Sequence, residues 1–248
     1  MLRKRIIPIV LLDGFSVLKT INFKTRRNLG SPITVLRTYN TRNVDELILL
    51  DIDATIQNRA VDKFTIADVA KDCFMPLTVG GGIKTVEDIR DLLSKGADKV
   101  SINSAAIKNP TFINEAASQF GSQCIVVSID VVKVDEIYKI YNNGTIIEGL
   151  SLSEWINQIE LEGAGEILIN SVDKDGTMAG ADIELASLVS SKSKLPVIYV
   201  GGISSPSNAT EVAKTGVSGL GISSIFHFSN ITPKECSDNL NENGILAR

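Results

Sequence analysis

The stretch Val79-Gly80-Gly81-Gly82-Ile83, followed across one helical segment by Ser101-Ile102-Asn103-Ser104, decides the fold. The same pattern returns 120 residues later as Val200-Gly201-Gly202-Ile203-Ser204 and Gly221-Ile222-Ser223-Ser224. Each copy reads as a strand ending in glycines, a helix, and a strand ending in small polar residues. Backbone N–H groups without side chains over them approach phosphate oxygens closely, and the partial positive charge of a helix start adds to the attraction. Two such turns on opposite sides of one mouth suit a ligand with a phosphate at each end. That predicts a metabolic enzyme acting on a long bisphosphate, or a descendant of one.

The repeat extends beyond the glycines. Glu46 opens Glu-Leu-Ile-Leu-Leu-Asp and Glu166, 120 residues on, opens Glu-Ile-Leu-Ile-Asn-Ser. Pro76 and Pro196 precede the glycine turns at the same offset, and Gly96-Ala97-Asp98 returns as Gly216-Val217-Ser218. A period this long is no solenoid unit. It implies two similar halves, approximately 1–120 and 121–248, within one domain of residues 1–248.

Short apolar runs recur with helical patterns between them. Ile6–Leu11, Leu47–Asp51, Leu77–Gly80, Lys99–Ile102, Ile125–Asp130, Ile167–Asn170, Val197–Val200 and Gly219–Ile222 read as strands buried on both faces. Val86–Lys95 after a Thr85 N-cap, Ser153–Leu161 and Asn208–Lys214 read as intervening helices. Strand alternating with helix specifies a parallel α/β sheet, and the twofold repeat favours closure into a (β/α)8 barrel over an open doubly wound sheet. Two segments break the rhythm. Residues 20–33 read as a long first loop, and Val131 to Gly149, with an Asn143-Gly144 turn, reads as an inserted hairpin. Both fall on the face where barrel enzymes build their sites.

At 248 residues, 44% hydrophobic and 22% charged, the chain has material for one large core. A net charge of −4 argues against general nucleic-acid or anionic-membrane binding. Cys73, Cys124 and Cys236 are widely spaced and unpaired in pattern, so neither a disulfide framework nor a zinc site is indicated. The single histidine, His227, reads as a packing residue, and no metal or other cofactor is called for. With no signal peptide or membrane span in view, the cytoplasm is the expected compartment.

Several long motifs in register carry a resemblance. Lys4-Arg5-Ile6-Ile7-Pro8, the Val79 turn, Gly96-Ala97-Asp98-Lys99-Val100-Ser101-Ile102-Asn103, Phe120-Gly121-Ser122-Gln123, Gly163-Ala164-Gly165-Glu166-Ile167-Leu168, Asp173-Lys174-Asp175-Gly176-Thr177 and Phe226-His227-Phe228 are similar to the HisF family, end to end. HisF is the cyclase subunit of imidazole glycerol phosphate synthase, a (β/α)8 barrel that docks on a glutaminase. The resemblance implies that Asp130, ending the fifth barrel strand, is a catalytic acid/base; read by itself, Asp130 could equally cap loop backbone. A carboxylate shuttles protons best when desolvation lifts its pKa. Lys19, beside Asn22-Phe23 in the first loop, would hold substrate. Asp175, with Gly176 and Thr177, matches an active-site turn, an Asx turn being the structural alternative. Phosphates would sit at Gly81, Gly82, Asn103 and Ser104, and at Gly201, Gly202, Ser223 and Ser224.

One position departs from the family. The strand-one aspartate expected opposite Asp130 is Leu11, and the nearest carboxylate is Asp13. Two residues along a strand keep the face but move the group by ~7 Å, so Asp13 is a displaced candidate for the missing acid. Loss of a general acid/base typically costs ~10²–10⁴-fold in rate.

At the other end, Arg5, Glu46, Lys99 and Glu166 open barrel strands one, two, four and six. The resemblance makes them a gate admitting ammonia from the glutaminase, with Asp98 on the partner surface; for any barrel such a set could be a plain salt-bridge plug. The segment from Leu11 to Phe23 resembles HisF-like proteins linked to acetamidino modification of surface-polysaccharide sugars. That implies a HisH-like glutaminase partner, an N-acetyl-sugar amidotransferase and a phosphorylated small-molecule substrate. Alternatives are a histidine-pathway synthase in which Asp13 substitutes, a non-catalytic ammonia conduit, and the related sugar-isomerase barrel.

Overall fold

The alternation of strand and helix closes on itself. The computed structural model describes residues 3–42 and 44–248. Its strands are β1 (Arg5–Leu12), β2 (Val17–Ile21), β3 (Thr25–Gly30), β4 (Leu47–Asp51), β5 (Leu77–Gly80) and β6 (Lys99–Ile102). They continue as β7 (Ile125–Val134), β8 (Ile137–Asn142), β9 (Thr145–Ser151), β10 (Glu166–Ser171), β11 (Val197–Val200) and β12 (Gly219–Ile222). Eight of these pair in parallel in the order β1-β4-β5-β6-β7-β10-β11-β12, and β12 returns to β1. The molecule is a (β/α)8 barrel. The helices around it are α1 (Pro32–Thr41), α2 (Lys63–Lys71), α3 (Val86–Ser94), α4 (Ser104–Lys108) and α5 (Thr111–Phe120). The second half adds α6 (Leu152–Leu161), α7 (Ile183–Lys192), α8 (Pro206–Lys214), α9 (Ser224–Phe228) and α10 (Pro233–Glu242). No helix among the described residues is long and apolar enough to cross a membrane.

Successive strand residues face opposite sides, so each barrel strand splits into two sets. On β1, Ile6, Val10 and Leu12 pack outward into the main core, where the helices cover the barrel. Ile7, Ile9 and Leu11 instead join Ile48, Val126, Leu168 and Ile198 in a second cluster that fills the barrel itself. Stepping by two along the same face connects Arg5 to Leu11 on β1, Lys99 to Asn103 past β6, Val126 to Asp130 on β7, and Glu166 to Asn170 on β10. One inward-facing phase therefore carries charges at the strand starts, apolar groups at mid-height and polar groups at the mouth.

The repeat is written in the backbone. Gly81 and Gly201 take φ of 116° and 117°, and Gly96 and Gly216 both take 103°. A Cβ on Gly81 would run into the carbonyl oxygen of Asp51, and one on Gly201 into that of Ser171, the residue 120 positions further on. The helices after the two glycine turns are capped alike: Thr85 Oγ1 accepts from Asp88 N, and Ser205 Oγ from Asn208 N.

Both irregular segments differ from a plain reading of the sequence. The first loop is a hairpin, β2 and β3, turned by Asn22 and Phe23 at φ of 50° and 59°. Its pairing is masked in the sequence because β3 is almost entirely exposed and lacks an apolar alternation. The second insertion has three strands, because β7 runs past Asp130 to Val134 before turning at Asp135 and Glu136. Asn143 and Gly144 make the other turn, both at positive φ.

Two glycine substitutions separate strain from collision. Gly30→Ala meets open space at φ +100°, so only the backbone penalty of about 1–2 kcal/mol is expected. Gly81→Ala adds the collision with Asp51 and should cost about 1–3 kcal/mol more in urea unfolding. Equal losses would mean that the glycine turn relaxes freely.

Candidate functional site

The barrel floor is closed by four charges in alternation. Arg5 Nη1 lies 2.7 Å from Glu46 Oε2, and its other terminal nitrogen bonds Glu166. Lys99 Nζ completes the ring, 2.9 Å from Glu46 Oε1 and 3.0 Å from Glu166 Oε2. Thr78 Oγ1 donates a further bond to Glu46 Oε1 at 3.1 Å. Both carboxylates are buried, whereas the Lys99 side chain keeps 22% of its exposure and is the member with most room to swing. Burial alone would lower the pKa of Arg5 and Lys99, but the charges and hydrogen bonds of Glu166 and Glu46 outweigh it and both are raised. Each cation has two anions and each anion two cations, so the set is neutral and mutually satisfied. Removing one member of such a buried set costs about 3–5 kcal/mol. Asp98 is exposed on the same face, its Oδ2 accepting from Leu77 N at 2.8 Å.

Above the floor lies the apolar cluster, and above that a cavity of about 840 Å³ at the mouth. Asp130 borders it, fully ligated on one side by amides. Asn103 Nδ2 donates to Oδ2 at 2.8 Å and Asn170 Nδ2 to Oδ1 at 3.1 Å. Asn103 is itself held by Asn142, which donates to Asn103 Oδ1 at 3.2 Å and accepts from Ser104 Oγ at 3.0 Å. Asn143 Nδ2 donates to Ser104 Oγ at 3.1 Å. A hydrogen-bonded line thus runs from the first phosphate turn, through the β8–β9 turn, to the carboxylate. Burial pushes Asp130 up to about 6, the two amides pulling it down and the charge of Asp175 adding to the rise. A carboxyl that changes charge near neutral pH can accept and return a proton in place.

Leu11 occupies the opposite wall, paired in register with Leu18 and Leu50 inside the apolar cluster. Asp13 does not stand in for it. Asp13 is exposed, its Oδ1 accepts from Ser16 N at 3.1 Å, and it lies away from the cavity wall. The strand ends at Leu12, so the displaced carboxylate caps a turn instead of facing inward.

The β2–β3 hairpin folds across the mouth and is fastened through both of its strands. Lys19 Nζ reaches Asp175 Oδ1 at 3.1 Å and Thr20 Oγ1 donates to Asp175 Oδ2 at 2.6 Å, all three residues being buried. Gly176 has no room for a Cβ because the Thr20 carbonyl sits there. On the other strand, paired in register with Thr20, Arg26 makes a bidentate pair with Asp53 at 2.6 and 2.7 Å. The tips of the two inserted hairpins meet at Phe23 and Tyr141, ring centroids 6.4 Å apart.

The two phosphate turns are unequal. Gly81, Gly82, Asn103 and Ser104 border the cavity, but of their counterparts only Ser223 does among the described residues. Gly202 O accepts from Gly180 N at 3.0 Å, so the segment after Asp175 lies over Gly201 and Gly202. Thr177 Oγ1 bonds the Lys174 carbonyl at 2.9 Å within that segment, and Ser224 is buried. His227 packs on Tyr39, Oη to Nε2 3.4 Å, and burial, with the charges of Lys19 and Arg42, lowers it to about 4. Asn170, Asn142, Thr20 and Arg26 are site residues that motif reading passes over. Asn170 was within reach: it lies two steps of two beyond Glu166 on an inward-facing strand phase.

Comparison with known proteins gives a consistent result. The family described as "Histidine biosynthesis protein" matches residues 5–232. A Campylobacter jejuni protein provisionally named imidazole glycerol phosphate synthase subunit hisF2 is 47% identical over 248 residues, covering 100% of this chain and 99% of its own. Imidazole glycerol phosphate synthase subunit HisF of Natranaerobius thermophilus is 43% identical, with both chains fully covered. That of Dictyoglomus thermophilum is 44% identical, covering 100% of this chain and 99% of its own.

The position of Asp130 sets a pH dependence with a definite sign. Its folded value, about 6, exceeds the ordinary 3.8, so the fold favours the protonated form. The resulting stability is full below about pH 4 and is lost as pH rises through about 6. Relative to Asp130→Asn, the natural chain should lose about 2–3 kcal/mol between pH 4 and pH 7. Parallel pH–stability curves for the two proteins would show that Asp130 is not desolvated as described.

Proposed function

Because the chain belongs to the histidine biosynthesis family, as a HisF-type synthase subunit, we propose that it receives ammonia from a HisH-like glutaminase through the barrel floor. In this reading Arg5, Glu46, Lys99 and Glu166 are the gate, and Asp98 lies on the partner surface. The observation that carries the reading is the shared inward phase: the charge ring and Asp130 stand at opposite ends of one apolar column. Ammonia is small and uncharged, so it crosses such a column at low cost, whereas ammonium would lose its hydration.

The ammonia serves amidation of an acetamido sugar to an acetamidino sugar in surface-polysaccharide synthesis, with an N-acetyl-sugar amidotransferase as the second partner, in the cytoplasm. Leu11 supports this branch. Imidazole ring closure on the bisphosphate precursor calls for proton transfer at two places, and the wall opposite Asp130 is apolar. Gly81, Gly82, Asn103 and Ser104 hold an anionic ligand group, with Gly201, Gly202, Ser223 and Ser224 as its twofold counterpart. Lys19, Asp175, Gly176 and Thr177 close over the mouth. A second reading, a histidine-pathway cyclase, is favoured by one observation: Asp130 and the first phosphate turn border the same cavity.

Two variants test these readings. Lys99→Glu surrounds Arg5 with three carboxylates. It should impair glutamine-dependent activity of the assembled complex far more than activity supplied with free ammonium, compared at equal folded fraction. Equal loss with both nitrogen sources, or loss with neither, would leave the ring a structural plug. Leu11→Asp restores a carboxylate opposite Asp130. If folded, it should raise ammonia-dependent cyclase turnover of the bisphosphate precursor by at least ~10²-fold. An unchanged rate in the folded variant would overturn the reading of Leu11 as the missing acid, and a natural chain already as fast as an ordinary cyclase would favour the histidine-pathway reading.

A further inference from the structure

Asn142 ends β8 and is buried outside the cavity lining. Both ends of its carboxamide are nonetheless in use. Its Oδ1 accepts from Ser104 Oγ at 3.0 Å, and its Nδ2 donates to Asn103 Oδ1 at 3.2 Å. Asn103 in turn donates to Asp130 Oδ2 at 2.8 Å. Ser104 is half-buried and borders the cavity at the first phosphate turn. A hydroxyl has one hydrogen to give. Ser104 gives it to Asn142, while its oxygen accepts from Asn143 Nδ2 at 3.1 Å. A fully ionised anion offers only acceptors, so one bonded by the Ser104 hydroxyl must take that hydrogen from Asn142. The twofold-related place lacks the device: Ser223 stands where Asn103 does, and its hydroxyl meets no partner among the described residues.

We propose that Asn142 is a positioning residue that couples the filling of the first phosphate turn to the protonation of Asp130. The inference rests on the reading of Gly82, Asn103 and Ser104 as an anion site. Once the Ser104 hydroxyl turns to the ligand, Asn142 Oδ1 has lost its donor and the carboxamide is held from one side only. Asn103 then loses its fixed bearing, and with it the aligned N–H that stabilises the Asp130 carboxylate. The negative charge of the ligand acts in the same direction. The other groups around Asp130 set the background. Asp175, past the end of β10, disfavours a second negative charge, and Lys19 is already bonded to Asp175 at 3.1 Å. Tyr141 is the register partner of Asp130 on β8, and Asn170 donates from β10 at 3.1 Å. The ionised groups of β6 and β10, Lys99 and Glu166, lie at the floor beyond the apolar layer. A desolvated carboxylate depends on each donor it keeps, so weakening one of two amides favours the acid. The proton is taken up when the ligand is seated and surrendered when the turn empties.

The test follows the ¹³Cγ signal of Asp130 by NMR from pH 4 to pH 8, in the full-length chain labelled at aspartate. The signal is identified by its loss in Asp130→Asn. Sulfate is the probe, because its charge is constant over that range, with chloride at equal ionic strength as the control. Saturation is judged from the Gly82 and Ser104 backbone amides. Saturating sulfate should raise the Asp130 midpoint, about 6 in the free chain, by at least ~0.5 pH. By linkage, sulfate then binds about threefold tighter, or more, to the form with Asp130 protonated than to the ionised form. Asn142→Leu removes both bonds. Its midpoint should stand higher before sulfate is added, and sulfate should raise it by less than half as much. Asn142→Thr, a strand-compatible side chain whose hydroxyl accepts from Ser104 and donates to Asn103, should restore most of the natural response. Should Asn142→Leu fail to fold, Ser104→Ala removes the same hydrogen from the cavity side and should give the same loss. An equal sulfate effect in the natural chain and in the variant would leave charge acting through space and overturn the role of Asn142. Saturable binding with an unmoved midpoint would overturn the coupling and leave the anion site standing. No saturable binding at the first turn would overturn the anion site and the coupling with it.

Discussion

Closure of eight parallel strands imposes one constraint from which the rest of this molecule follows: every second residue of each strand must face the axis. A barrel interior has no water to solvate what is delivered there, so each inward group must be apolar, mutually paired or functional. The charged floor, the Ile7–Val126 layer and the Asp130 wall are three answers to that demand at three heights. Moving any strand by one residue would exchange the floor charges for residues of the outer core and destroy both layers at once.

Against this frame the two halves have diverged selectively. Backbone features survive nearly unchanged, as the matched φ values of Gly81 and Gly201 show. Side chains at the mouth have not survived. Asp130 with its amides Asn103 and Asn170 has Leu11, Ser223 and Leu50 at the twofold-related places. Backbone geometry is needed to close the barrel and therefore resists change, while mouth residues answer only to the ligand. The second glycine turn is correspondingly covered by the segment that anchors the first hairpin.

Much of this was legible in the sequence for reasons that can be named. Five barrel strands, among them Leu77–Gly80 and Gly219–Ile222, match their sequence-derived bounds because glycine, proline and charge punctuate them sharply. Glu46 and Glu166 were legible as a pair at repeat positions, and the family resemblance set Arg5 and Lys99 beside them. The first hairpin was not: β3, Thr-Arg-Arg-Asn-Leu-Gly, is held by Arg26–Asp53 and by pairing to β2, neither of which leaves a hydrophobic period. Asp13 was misleading for a related reason. Spacing alone placed it on the inward face, but the strand stops at Leu12 and the phase ends with it. The amide line through Asn142 joins the second insert to the first phosphate turn and to β7, and no local pattern marks such a junction.

That amide line has a consequence for how charge moves. Its interior members, Asn142 and Asn103, are carboxamides, which donate hydrogen bonds but, unlike hydroxyls or water, do not hand protons along a chain. The line therefore fixes Asp130 in place and insulates it. Whatever proton Asp130 gains or loses must travel through the cavity, by way of the ligand or of water admitted with it, and closure of the two hairpins at Phe23 and Tyr141 would cut that supply.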